Sequence, residues 1–310
     1  MFSTTIITLA MSLGQCEASQ AMAVKAMAIN SKPTIAEAAS SSDQFSTLVT
    51  ALAAADLVDT LNGEGNFTVF APTNDAFAAL PDGTIPSLLM EKNKGQLTEI
   101  LTYHVLPTRL DAKHVVTSNG SKSINGQWID FKSNEEGVFI DGAKVLMTDI
   151  ECSNGTIHVI DAVILPTTKN IISTAKEAKA FSTLLAAAEA AGLADELGTN
   201  GPYTVFAPTD EAFAQLGSDT ISELLKPENK SKLARILGHH VVSGRVYSPD
   251  ALASGKAMTL VGTPLKIAVV DDKARVENAN ILLTDIDASN GVIHVIDSVM
   301  IPAEKQARID

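Results

Sequence analysis

Two cysteines in 310 residues, Cys16 and Cys152, are too few for a disulfide framework, and no Cys-x-x-Cys motif can be built from them. Cys152 is expected to act as a small apolar filler. Positive charge is also scarce: 23 Lys and Arg stand against 36 Asp and Glu, a net charge of −13. Such a surface repels phosphate backbones, so nucleic acid is not expected as a partner. Long apolar runs are missing too. No stretch of about eighteen apolar residues occurs, which excludes a transmembrane helix from the expectation. The chain has neither a G-x-S-x-G elbow nor a phosphate-binding G-x-x-x-x-G-K-[ST] loop, and that removes two large enzyme classes.

What is present describes an ordinary globular chain. Apolar residues make up 45% and charged residues 19%, and the length suits about two domains of 100–200 residues. Residues 1–30 read as a signal for export. "IITLAMSL" (6–13) is a short apolar region, and Ala-Met-Ala at 21–23 and 26–28 offers cleavage sites. Two features depart from the usual pattern: no Lys or Arg precedes Lys25, and Glu17 interrupts the segment.

The dominant feature is a duplication. "NGTIHVIDAVILP" (154–166) returns as "NGVIHVIDSVMIP" (290–302), 136 residues on. "FTVFAPTNDAFAAL" (67–80) returns as "YTVFAPTDEAFAQL" (203–216), and "FSTLVTALAAADLVDTL" (45–61) as "FSTLLAAAEAAGLADEL" (181–197), again at 136. One offset without a gap means two copies of one domain, each long enough to close its own core. Domains are therefore expected at 31–166 and 167–302, with a tail at 303–310.

Each copy carries the same order of signals. Phe45, Leu48, Val49 and Leu52 share one helical face, and Phe181, Leu184, Leu185 and Ala188 repeat it. "FTVFAP" reads as a short buried strand stopped by proline. Thr73 and Thr209 follow as expected helix N-caps, with Asp75 and Glu211 in the first turn. "INGQWIDF" (124–131), "GVFIDG" (137–142) and "KVLMTDIEC" (144–152) read as strands. Asn154-Gly155 is expected to form a two-residue hairpin turn with positive φ. The strand after it, apolar on both faces, should run through the centre of a sheet.

These residues resemble the fasciclin domain family. "TVFAPTNDAF" (68–77) and "TVFAPTDEAF" (204–213) match its first signature, the two thirteen-residue segments its second, and "TYHVL" (102–106) the intervening Tyr-His segment. The resemblance implies an α+β fold, a wedge-shaped β-sandwich with packed helices, in two tandem copies. It implies a binding module rather than an enzyme, without cofactor, secreted or held at the cell surface (in the periplasm of a Gram-negative host). Cell-surface or matrix proteins or polysaccharides are the implied partners. By the same resemblance Tyr103 and His104 become candidate ligand-binding residues. The second copy departs here, with His239 in place of the tyrosine before His240.

The residues themselves point less far. His104, His114, His158, His239, His240 and His294 show no metal-ligand spacing such as H-E-x-x-H, and read as structural. Asp161 and Asp297 read as strand-end anchors rather than acid–base groups. The expected function is adhesion or matrix and biofilm contact, with avidity from two sites on one chain. A small-molecule carrier is the alternative, and a polymer-acting hydrolase the weaker one.

Overall fold

The computed structural model describes residues 32–302. The segment 1–30, with Cys16, and the tail 303–310 lie outside the described residues. The chain divides into two compact units. The first holds the described residues up to Ile124 together with Ile129–Ile164, and the second holds Asn125–Trp128 and the described residues from Leu165 on.

Each unit is α+β, built on one seven-stranded sheet. In the first, the strands are β1 (Phe67–Pro72), β2 (Val105–Leu106), β3 (Gly120–Lys122), β4 (Trp128–Asn134), β5 (Gly137–Ile140), β6 (Ala143–Cys152) and β7 (Gly155–Ile160), in the order β2-β1-β7-β6-β5-β4-β3. In the second they are β8 (Tyr203–Pro208), β9 (Val241–Ser243), β10 (Lys256–Met258), β11 (Pro264–Val270), β12 (Lys273–Val276), β13 (Ala279–Ala288) and β14 (Gly291–Ile296). Their order, β9-β8-β14-β13-β12-β11-β10, is the same path. The strand expected at the centre is there: β7 pairs with β6 antiparallel and with β1 parallel, and all six of its residues are buried.

Two apolar layers follow from the alternation of side chains along these strands. Val69, Ala71, Ile157 and Val159 face the helices, against Ile35, Phe45, Leu48, Leu52 and Leu101. Phe70 and Ile160 point the other way, into a second core with Ile129, Phe131 and Ile140 from the far strands. The sheet thus folds over its own side chains. The second unit repeats both layers around Val205 and Ile293, and around Phe206 and Ile296. Cys152 sits in the helical layer, 1% exposed, and burial pushes its thiol pKa up.

The helix Ser46–Ala54 has no cap of its own, since Phe45 precedes it. Asn74 supplies one from a distance: its Oδ1 accepts from the Thr47 N–H at 3.0 Å. Asp210 does the same for the helix Ser182–Ala191 through Thr183 at 2.7 Å and Ser182 at 3.1 Å. Thr73 and Thr209 cap the next helices as expected, each accepting at 3.2 Å from Ala76 and Ala212.

The Asn-Gly pair does something other than expected. The hairpin pairs Cys152 with Gly155, so its loop residues are Ser153 and Asn154, and neither Asn154 nor Gly155 has positive φ. Asn154 is a buried clamp. Its Oδ1 accepts from the Ile35 N–H at 3.0 Å, and its Nδ2 donates to the Leu61 and Gly63 carbonyls at 2.7 and 2.9 Å. Asn290 holds Ile171, Leu197 and Asn200 in the same way. Glycine follows because β1 passes too close for a side chain. A Cβ on Gly155 would lie 2.2 Å from the Phe67 carbonyl oxygen, and one on Gly291 2.1 Å from that of Tyr203.

Candidate functional site

Each of the recurring histidines, His104, His158, His240 and His294, hydrogen-bonds the backbone through both ring nitrogens. Nδ1 of His104 donates to the Ile100 carbonyl at 2.8 Å, and Nε2 accepts from the Ile164 N–H at 3.2 Å. His240 repeats both contacts, with Ile236 at 2.8 Å and Met300 at 2.9 Å. His158 and His294 use the opposite tautomer. Nδ1 accepts from the N–H of Asp149 or Asp285, and Nε2 donates to the carbonyl of Leu110 or Val246. His158 also stacks on Phe70 at 5.8 Å between centroids. Burial lowers all four pKa values, those of His104 and His240 to about 4, so these rings are neutral spacers at physiological pH.

Tyr103 and His104 are both buried, at 5% and 3% exposure. The Tyr103 hydroxyl donates to Asp141, whose carboxyl pKa is raised by burial. That carboxylate also accepts from the Asp130 N–H across the turn at 2.8 Å. In the second unit Glu277 stands at Asp141's position and accepts from the Lys266 N–H at 2.7 Å. His239 turns instead to the Thr263 hydroxyl at 2.6 Å. Asp161 and Asp297 anchor strand ends, accepting from the N–H groups of Lys144 at 2.7 Å and Asn280 at 2.9 Å. Among the described residues no group of three or more His, Cys, Asp or Glu is placed to hold a metal ion.

Two surface features remain. The first is a polar cleft of about 650 Å³ in the first unit, lined by Lys32, Arg109, Asp111, His114, Asp149, Glu151 and Thr156. Its charges alternate: Lys32 pairs with Glu151, and Asp111 accepts from both the backbone N–H and Nδ1 of His114. The counterparts in the second unit are closed. Arg245 donates to the carbonyls of Gly291 and Ser289 at 2.8 and 2.7 Å, and the fully buried Tyr247 donates to Asp287 at 2.7 Å. The sequence marks this difference at several positions, among them Asp111 in place of Tyr247, His114 in place of Asp250 and Thr156 in place of Val292.

The second feature occurs in both units. β6 pairs with β5 only at Ala143 and Lys144, and β13 pairs with β12 only at Ala279 and Asn280. Beyond those residues each strand is bulged against its other neighbour, and Asp149 and Asp285 take positive φ. The bulge turns consecutive side chains outward. Leu146 and Met147 are 56% and 53% exposed, and Leu282 and Leu283 are 54% and 60% exposed. Alternation on a regular strand would have buried one of each pair, and for this reason the sequence pattern did not reveal them.

The family model for the fasciclin domain matches residues 43–166 and 179–302. The chain belongs to the fasciclin domain family. Protein sll1483 of Synechocystis sp. is 52% identical over 143 residues, 46% of this chain and 79% of that protein. Transforming growth factor-beta-induced protein ig-h3 of Sus scrofa is 33% identical over 247 residues, 78% of this chain and 35% of that protein. Human periostin is 28% identical over 265 residues, 84% of this chain and 30% of that protein. The chain thus spans about a third of the length of the last two. Fasciclin domains generally serve as non-catalytic binding modules, commonly in adhesion and matrix settings. No helix among the described residues is long and apolar enough to cross a membrane.

Proposed function

We propose that this fasciclin pair is an exported binding protein that makes adhesive contacts with cell-surface or matrix proteins, one contact per domain. The observation that carries the reading is the exposed apolar pair on a strand just past its short pairing with its neighbour, present at the same position in both units. Exposed apolar side chains in adjacent positions suit an extended protein segment that would cover them. Tyr103 and His104 enter this reading as positioning residues. They fix the backbone around the second core and leave the touching to others. Domains at 31–166 and 167–302 and removal of 1–30 belong to the same proposal.

The test is binding of the immobilised full chain to surface and matrix fractions of its source. Leu146→Glu with Met147→Glu, and Leu282→Glu with Leu283→Glu, should each weaken saturable binding at least tenfold while leaving the circular dichroism spectrum unchanged. Unaltered binding by the fourfold variant would refute the reading.

A further inference from the structure

The two helical cores differ in one respect that bears on ligands. Ala188 occupies the position of Leu52, three carbons smaller, at the buried face of the helix Ser182–Ala191. A cavity of about 30 Å³ lies at this point, walled by Ala188, Leu237, Ile293 and their neighbours. The missing bulk has moved outward. Ile172 replaces Ala36 and Leu185 replaces Val49, and both larger residues are half-buried members of the cavity wall. The second unit therefore has a small floor and an apolar rim, with its mouth between the helices Ile171–Ala178 and Ser182–Ala191.

The wall offers nothing to water. Its one polar side chain, His240, has both ring nitrogens occupied by the Ile236 carbonyl and the Met300 N–H. A water needs two to four partners and about 10–15 Å³, so this space is large enough for water but chemically wrong for it. An aliphatic group loses nothing on entering. We propose that the second domain binds the methyl end of an aliphatic chain in this cavity, with the polar remainder of the molecule outside the rim. The proposal goes beyond the adhesive reading and stands apart from it, because the cavity and the exposed strand pair share no residue.

Xenon and octanoate are the probes, both applied to the full chain. Xenon should give a saturable ¹²⁹Xe shift, and octanoate should raise the unfolding temperature of the second unit saturably. Ala188→Leu should remove the xenon signal and weaken octanoate at least tenfold. Ala188→Val serves if the leucine variant fails to fold. Leu52→Ala, in the other unit, should leave the affinity for octanoate at Ala188 unchanged. Octanoate binding that survives both Ala188 variants would overturn the proposal. So would xenon entry without octanoate binding, which would make the space a packing defect. Phosphatidylcholine vesicles separate the sources: co-sedimentation lost on Ala188→Leu would assign a membrane lipid tail, and octanoate binding without it a free chain.

Discussion

The two domains share a skeleton and differ in what they leave open. The first has Leu52 in its helical core and an open charged cleft around Arg109 and Glu151. The second has Ala188 and a cavity in that core, and the cleft positions are filled by Arg245, Tyr247 and Asp287 contacts. The shared residues, Asn154 with Asn290 and His104 with His240, bind the fold to itself. Duplication has conserved the internal hydrogen bonds and let the accessible spaces diverge, which is the pattern expected when two copies keep one architecture and specialise their contacts.

This comparison can be broken most sharply at the glycines. Gly155→Ala and Gly291→Ala each drive a methyl group into a carbonyl, and each should cost about 4 kcal/mol or more. Hydrogen-exchange mass spectrometry on the whole chain would show it as lost protection, in the Ser46–Ala54 helix for the first variant and in Ser182–Ala191 for the second. A similar loss in both units would confirm that the close approach is common to them.

Acid should weaken both units together. The folded values of His104 and His240, about 4, lie below the unfolded value of about 6.5. Between those limits the unfolded chain takes up a proton that the folded chain refuses. Stability is therefore full above about pH 6.5, falls as the pH drops toward 4, and levels off below, by on the order of 3 kcal/mol per histidine. Denaturant midpoints measured from pH 7.5 to 4 check this, and His104→Gln should flatten the profile of the first unit alone.

Asn154→Ala and Asn290→Ala sharpen the comparison, because Asn154 is buried and Asn290 only half-buried. Each strands one N–H and two carbonyls. The first should cost about 3 kcal/mol and the second about 2, since water can reach the groups left behind in the second unit. The smallest effect concerns Tyr103, which the second copy replaces with His239. Tyr103→Phe should cost about 1 kcal/mol in the first unit, read from its thermal unfolding, while Asp141 keeps its bond to the Asp130 N–H.

Much of this fold was legible. The constant offset announced two units, the apolar spacing of Phe45, Leu48 and Leu52 placed a helix, and Thr73 and Thr209 marked caps that the structure bears out. The misreading of Asn154-Gly155 is instructive. Turn propensity is a local rule, whereas Asn154 answers to Ile35 and Leu61, and Gly155 to Phe67, all distant in sequence. The outward turn of Leu146 and Met147 was hidden for a related reason, because a bulge cancels the alternation from which burial is read. The cavity was half visible: Ala188 opposite Leu52 could be seen in the aligned copies, but only packing shows that Ile172 and Leu185 do not refill the space.

The parallel pairing of β1 with β7 has a consequence for how the chain is made. Phe67 is registered against Gly155 and Pro72 against Ile160, so the middle of the sheet joins the start of a domain to its end. Such long-range closure is slow, and domains made on the ribosome fold as units in order of synthesis. While β7 is still inside the exit tunnel, β1 has a missing neighbour on its inner side and Asn154 has not yet bonded Ile35, Leu61 and Gly63. A nascent first domain must therefore wait, with apolar strands exposed, until its closing thirteen residues emerge. It can then complete itself while the second domain is still being translated, and a truncation just before Asn154 would leave a chain that chaperones hold rather than a smaller folded protein.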